Sequence, residues 1–445
     1  MSEPLVNAGL MRLYRESGWT LRRFAQEVNR LGTERGTPLK YREPSVHQWL
    51  GGHLPRESVR PLVVEVLSRR LGRPVTYAEA GFPAPRTGGE GAGTTEELLA
   101  LGRQDMDPSR RGVLGAGLFS VVLTVPHWQD VVGRMEAVAH GGPRRYGAPD
   151  VAMVSAMTER ISALDDSFGG RHARPMAAAF LVNTVAPYLR ADAPESVRQA
   201  MLSAAADLCY LTGYMAVDEG LHGLAQRYYV KALELAGAAG DHLTYCTTLR
   251  GMSVQAVDLG HGREALRLAD AAAAASPQAG PRMRAFLAGQ QAHAAARTGD
   301  RASALAYLRE AEVAMEKAES RAKAFGSYDP SSLLYHVSQV RYELRDVTGS
   351  VAALKESDRV RQAVFRRARV RHRCTLAERQ LEVGHLEVAC RTWHLALDDY
   401  PDVHSGRADD RVRALTARLR PHLRNRAARE LRERARRLAP ALAGA

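Results

Sequence analysis

The chain of 445 residues carries 62 Lys/Arg against 49 Asp/Glu, a formal net charge of +13, with 45% apolar and 25% charged residues. At roughly 100 to 200 residues per domain, this length implies two to four units with room for buried cores, and the composition excludes wholesale disorder. Aromatic residues make only 6% and β-branched runs are scarce beside long Ala, Leu and Arg stretches, so helix is favoured over strand, and the charge permits a polyanionic partner without identifying one.

The first elements lie in residues 1–82. Asn7 to Ser17 sets Leu10, Leu13 and Tyr14 at helical spacing and closes on Gly18. Thr20 stands as an N-cap before LRRFAQEVNRL, where Leu21, Phe24, Ala25 and Val28 make one apolar face. A polar connection, GTERGTPLKYR, leads to a short helix with Pro44 in its first turn, whose SVHQWL ends at Gly51 and Gly52. Val46 and Trp49 are expected to pack inward with Leu50, and PRESVRPLVVEVLSRRLGRPV supplies a further amphipathic helix.

This succession resembles the helix-turn-helix of the Cro/phage-repressor-like (XRE-type) family over about residues 5–75. The match rests on LRRFAQEVN as second helix, SVHQWLGGHLPRE as recognition helix and the SRRLGRPVTYAEAGF ending. The connection departs from the pattern: about a dozen residues separate Leu31 from Glu43, where a turn of about four is usual. The resemblance implies double-stranded DNA as partner. It directs Ser45, His47 and Gln48 toward base edges, and Arg22, Arg23, Lys40, Tyr41 and Arg42 toward phosphates.

Residues 83–149 read as a linker, opening on a Pro/Gly/Thr-rich stretch. Gly89, Gly91 and Gly93 lack the preceding strand and the GK[ST] of a phosphate loop. Ser109 to Pro126, SRRGVLGAGLFSVVLTVP, imitates a twin-arginine export signal, but it lies far inside the chain and no A-x-A-like site follows; its apolar part, 112–126, also reads as a buried helix or strand joining two domains. No stretch reaches the roughly 18 to 20 uninterrupted apolar residues of a membrane span. Cys209, Cys246, Cys374 and Cys390 show no CxxC spacing and read as buried thiols. A cytoplasmic protein with no membrane partner, metal or cofactor is expected.

Residues 150–404 contain an internal repeat. LHGLAQRYYVKALELA, HGREALRLADAAAAASP, DRASALAYLREAEVA and HLEVACRTWHLALDDYP superpose Ala225, Ala265, Ala304 and Ala389. Tyr229, Ala269, Leu308 and Trp393 stand four later, and Ala232, Ala272, Ala311 and Ala396 seven later. Five before each aligned alanine is a glycine: Gly220, Gly260, Gly299 and Gly384. The long interval before Gly384 leaves room for a degenerate unit around Tyr335 to Leu354 with Gly349 in its turn. These residues resemble the tetratricopeptide repeat, a helical hairpin with small residues where its helices meet and Pro closing the unit, as Pro277 and Pro401 do here. The fold class is therefore all-α, a helix-turn-helix domain followed by a tetratricopeptide-like α-solenoid with an extended concave surface. SAMTERISALDDSFGG and PMAAAFLVNTVAPYL read as helices capping the array.

Residues 405–445 read as Arg-rich helices interrupted at Pro421, with twelve Arg against four Asp/Glu. Those arginines form either a solvated face or salt bridges to the acidic repeats. Arg359 to Arg373 holds seven more arginines.

No HExxH, G-x-S-x-G, Walker A or strand-borne GxGxxG is present, so no enzymatic constellation is identified. Helix-turn-helix plus helical repeats resembles the Rap/PlcR-type receptors of Gram-positive bacteria. Over nearly the whole chain it resembles regulators of development and secondary metabolism in high-GC filamentous bacteria, through ALDDSFGG and LAQRYYVKALELA. That resemblance implies a homodimeric transcriptional regulator whose repeats sense a peptide, a small-molecule effector or a partner protein. The repeat register puts Asp207, Tyr210, Tyr214, Asp218, Arg250, Asp258, His293 and Arg297 on the concave face. The alternative is a protein-interaction adaptor that does not bind DNA directly.

Overall fold

The computed structural model describes residues 7–34, 39–71, 73, 75–83, 93–106, 146–275, 279–318 and 328–439. Over these residues the protein is all-α and solenoid-like, without a strand. The export-signal-like segment at 109–126 lies outside them.

Helices α1 (Ala8–Ser17), α2 (Leu21–Glu34), α3 (Glu43–Leu50) and α4 (Arg60–Leu71) share one core built on Leu10, Leu13, Phe24, Val28, Val46, Trp49, Val63 and Leu67. Asn7 caps α1 by accepting the Leu10 N–H at 3.0 Å, and Gly18 ends it at φ 66°. Thr20 accepts the Arg23 N–H at 3.2 Å. The connection between α2 and α3 is pinned to α2 by one side chain. Asn29 donates to the Tyr41 carbonyl and accepts the Tyr41 N–H, both at 2.8 Å, so the long insertion still delivers α3 to a defined place.

Part of the span read as linker is a docked helix, α5 (Thr94–Met106). Its Asp105, 1% exposed, accepts from the Tyr228 hydroxyl at 2.9 Å and pairs with Arg174, which donates to Glu219 at 2.6 Å. Lys231 joins Glu97 to Glu234. The buried Asp105–Arg174 pair and the half-exposed Glu97–Lys231 pair hold α5 against the array.

The array opens with α6 (Ala148–Phe168) and α7 (Gly170–Phe180), the latter continuing through a π turn, Leu181–Val185, into α8 (Ala186–Leu189). Consecutive pairs follow: α9 (Glu195–Asp218) with α10 (His222–Ala239), α11 (His242–Asp258) with α12 (Gly262–Ala274), and α13 (Pro281–Thr298) with α14 (Arg301–Glu316). Then come α15 (Pro330–Glu343) with α16 (Val347–Val360), α17 (Arg366–Glu382) with α18 (Leu386–Asp399), and α19 (Gly406–Leu419) with α20 (Arg426–Leu438). Every alanine of the aligned first and third positions is fully buried, because only a methyl fits where the paired helices touch. Helix α9 is the one helix among the described residues long and apolar enough to cross a membrane, and its faces are covered by α6, α7, α10 and α11.

The turns within five of the helix pairs share one device, which recurs between pairs at Gly240. At Gly220, Gly260, Gly299 and Gly384 the backbone is left-handed, φ 79–85°, and the next N–H returns to the carbonyl five residues back, as His261 does to Ala256 at 2.8 Å. The fourth unit corrects the sequence expectation. Its left-handed residue is Arg345 (φ 70°), with Asp346 N–H reaching the Arg341 carbonyl at 2.8 Å. Gly349 instead sits in the first turn of α16, its N–H capped by the Asp346 carboxylate at 2.8 Å.

The array also closes on itself, so the expected extended concave surface is narrowed to a cavity between its start and its end. His404 N–H donates to the Phe168 carbonyl at 2.7 Å and Arg171 N–H to the His404 carbonyl at 3.2 Å. Ser405 donates to Asp218 at 2.9 Å, and α17 packs on α6. Gly169 permits the approach. Its φ is 90°, and a Cβ there would lie 2.5 Å from the His404 oxygen.

The C-terminal arginines divide between the two expected roles. Arg407 pairs with Asp258 at 2.6 Å, Arg411 with Glu378 at 2.8 Å and Arg434 with Asp398 at 2.6 Å, tying the end of the chain to the repeats. Arg436 and Arg437 are exposed. All four cysteines are buried free thiols.

Candidate functional site

Two surfaces gather the residues singled out by sequence. On the N-terminal unit, Arg22 of α2 and Arg42, Glu43 and His47 around the start of α3 line one depression with Tyr41 and Pro44. Arg23, Lys40 and Gln48 are exposed nearby in sequence but do not line it, and Ser45 is half-buried. Arg23 is also engaged by Glu27 at 2.5 Å. Tyr41 has a packing role: its ring stands edge-on to Trp49 at 5.0 Å and its backbone is held by Asn29. Val46, Trp49 and Leu50 are buried, so α3 is anchored by one face and shows solvent the other, with His47 and Gln48 on it.

The second surface is the cavity inside the closed array. Tyr210, Tyr214, Asp218, Arg250, Asp258 and His293 all line it, contributed by α9, α11 and α13. Asp207 and Arg297 do not. Asp207 lies against Thr244, whose hydroxyl is 2.7 Å from it, and Arg297 pairs with Glu343 at 3.0 Å.

Sequence reasoning missed the opposite wall: Asp165, Asp166, Tyr328, Tyr335, His336, Arg361, Arg367, Arg371 and His372. Two signals pointed there. ALDDSFGG supplies Asp165 and Asp166, and the arginine run supplies Arg361, Arg367 and Arg371, of which the last two share a face of α17 by their four-residue spacing.

The cavity's charges fall into two groups. Arg367, 8% exposed, meets Asp165 at 3.0 Å, Asp166 at 3.1 Å and Asp218 at 3.7 Å, and lies over the Tyr214 ring at 5.1 Å. Burial pushes the Asp165 carboxyl up to about 7 against the pull of Arg367. Arg407 holds the Asp258 carboxyl below its usual range, overcoming the effect of burial. These acids are thus consumed by the closure.

The other group is cationic. Arg250 stacks on Phe286 at 3.7 Å, donates to the Phe286 carbonyl at 3.3 Å and approaches His336 Nε2 at 3.5 Å. Arg371 donates to the Tyr335 hydroxyl at 2.8 Å, and Arg361 donates to the Ser331 carbonyl at 3.3 Å and the Ser357 hydroxyl at 3.2 Å. Among the described residues none of these three has a carboxylate within salt-bridge distance. Burial lowers His293 to about 4 and holds His336 and His372 well below the usual imidazole range, so the three rings are neutral at pH 7.

Residues 10–83 match the family model described as SP15 N-terminal domain, which spans α1 to α4. The chain matches no curated protein.

Proposed function

We propose that this protein is a sequence-specific, cytoplasmic transcriptional regulator, acting as a homodimer, in which residues 1–82 are an XRE-type helix-turn-helix domain and the tetratricopeptide-like array senses an effector. The observation that carries the reading is the surface where α2 meets α3. A core fixed by Val46 and Trp49 leaves His47 and Gln48 exposed, with Arg22 and Arg42 beside them. A helix so held, flanked by guanidinium groups, suits base edges in a major groove with phosphates alongside. The small volume of the cavity, about 190 Å³, favours an effector over a bulky partner protein.

The coupling route follows the closure. Asp218 takes Ser405 and Arg367 at the seam, and its neighbour Glu219 takes Arg174, which also grips Asp105 of α5. An effector that shifts the seam is thereby read at α5, the first described helix after the DNA-binding unit, and biases the spacing of two such units in a dimer.

The test is titration of labelled genomic fragments with the full chain and with a chain lacking residues 1–82, whose core is separate from that of the array. Loss of binding in a helical, monodisperse truncation is expected. Unchanged affinity would refute the assignment.

A further inference from the structure

We propose that the cavity of the closed array binds a small organic anion, a carboxylate or phosphate head on a flat apolar body, with Arg250, Arg361 and Arg371 gripping the head. This rests on the effector-sensing reading above and narrows it, excluding an extended peptide.

Size is the first argument. The cavity holds about 190 Å³, below the ~300–1,000 Å³ of sites that take drug-sized ligands. Ser405 of the seam lines it, and a space of this volume takes a compact ligand and not an extended chain.

Hydrogen-bonding capacity is the second. A guanidinium offers five N–H donors, and Arg250, Arg361 and Arg371 spend few of theirs, none on a carboxylate. Arg361 Nε is buried with no partner among the described residues. The facing acids are engaged: Asp165 (through Oδ2), Asp166 and Asp218 with Arg367, Asp258 with Arg407, and Asp329 with the N–H of Ser332 and the hydroxyl of Ser331, which leaves Asp165 Oδ1 as the one carboxylate oxygen of the lining that is buried without a hydrogen-bond partner among the described residues. The surplus is therefore of donors, and an acceptor-rich anion matches it.

The aromatic lining is the third. Tyr210, Tyr214, Phe286, Tyr328 and Tyr335 present ring surfaces to the cavity, while Gln290 Oε1 and His372 Nδ1, both without a partner, can meet hydroxyl or amide groups on the ligand body. The imidazoles, held neutral by burial, add no repulsion toward Arg250.

The experiment is isothermal titration of the full chain, without DNA, using four probes of similar shape. These are 3-(4-hydroxyphenyl)propionate and phenyl phosphate as anions, tyramine as the cation and 4-ethylphenol as the neutral body. At least one anion is expected to bind about tenfold or more tightly than tyramine and 4-ethylphenol, since that ratio is the value of one charge-assisted contact; which anion wins identifies the head.

R250Q and R371Q, each checked by circular dichroism, are expected to weaken it by about tenfold. The comparison of probes on the unaltered chain needs no variant. Equal or tighter binding of tyramine or 4-ethylphenol, no binding of either anion, or undiminished anion binding in a folded R250Q/R371Q chain would overturn the proposal. Failure here with intact DNA binding refutes the anion alone. Anion binding without DNA binding refutes the regulator reading alone.

Discussion

Replacing Arg367 with Met tests whether the seam is held electrostatically. The methionine keeps most of the apolar stem but removes the one cation that, among the described residues, is ion-paired with Asp165, Asp166 and Asp218, two of which are 2% exposed or less. Removing one partner of a buried ion pair costs about 3–5 kcal/mol because the remaining charge stays desolvated, a large share of the ~5–15 kcal/mol that stabilises a domain. Loss of the contact with Tyr214 at 5.1 Å adds in the same direction.

The cost depends on pH with a defined sign. The Asp165 carboxyl is already raised from 3.8 to about 7 with Arg367 beside it, so losing Arg367 raises it further. A carboxyl whose folded value exceeds its unfolded one contributes stability that is full below about 4 and disappears as pH rises through the folded value. The deficit of R367M should therefore be smaller at pH 5 than at pH 8.

Urea unfolding followed by circular dichroism measures the deficit, and small-angle scattering reports whether the array opens. Adding Asp165→Asn should restore part of the loss. A deficit under about 1 kcal/mol at pH 8, against the expected ~3–5, or a deficit untouched by D165N, would refute the reasoning.

Three further outcomes follow from single sites. Arg345→Gly should stabilise the protein by about 1 kcal/mol, seen as a higher urea midpoint, because the exposed arginine occupies a left-handed position at φ 70° that glycine adopts freely. Gly169→Ala should destabilise by roughly 2 kcal/mol or more and enlarge the radius of gyration, since its Cβ meets the His404 carbonyl. Asp207→Asn should make the fall in thermal stability between about pH 4 and 7 shallower, leaving the share due to Asp165. Burial raises that carboxyl to about 7, so the wild-type chain loses stability over this window as pH rises and a neutral amide does not.

Local chemistry made most of the helices legible. Caps at Asn7 and Thr20, the stop at Gly18 and the paired alanines are contained in a few neighbouring residues, and periodicity exposes them. The fourth unit escapes the glycine pattern for a physical reason: Arg345 fills the left-handed position, and Gly349, four residues on, lies in the first turn of the next helix.

The effect of the long α2–α3 connection was hidden as well. Asn29 returns it to the helix through tertiary hydrogen bonds that leave no periodic trace. The concave register placed Tyr210, Arg250 and His293 on one cavity, because the first helices of successive pairs share that wall. Closure was illegible: it joins Asp165 to Arg367 across 202 residues, and repeat periodicity describes neighbours only. With hindsight the acidic and glycine residues of ALDDSFGG are the seam itself.

Whether α3 reads a DNA sequence is decided by selection from a random duplex pool with the full chain. One enriched motif is expected, built of two related half-sites if the protein is a homodimer. Gln48→Ala is expected to relax preference at a single position, by about 1–3 kcal/mol against the wrong base. Arg42→Ala should weaken all duplexes alike and lower the salt dependence by about one phosphate contact. No enrichment over the input pool, or a motif indifferent to both His47→Ala and Gln48→Ala, would contradict the account.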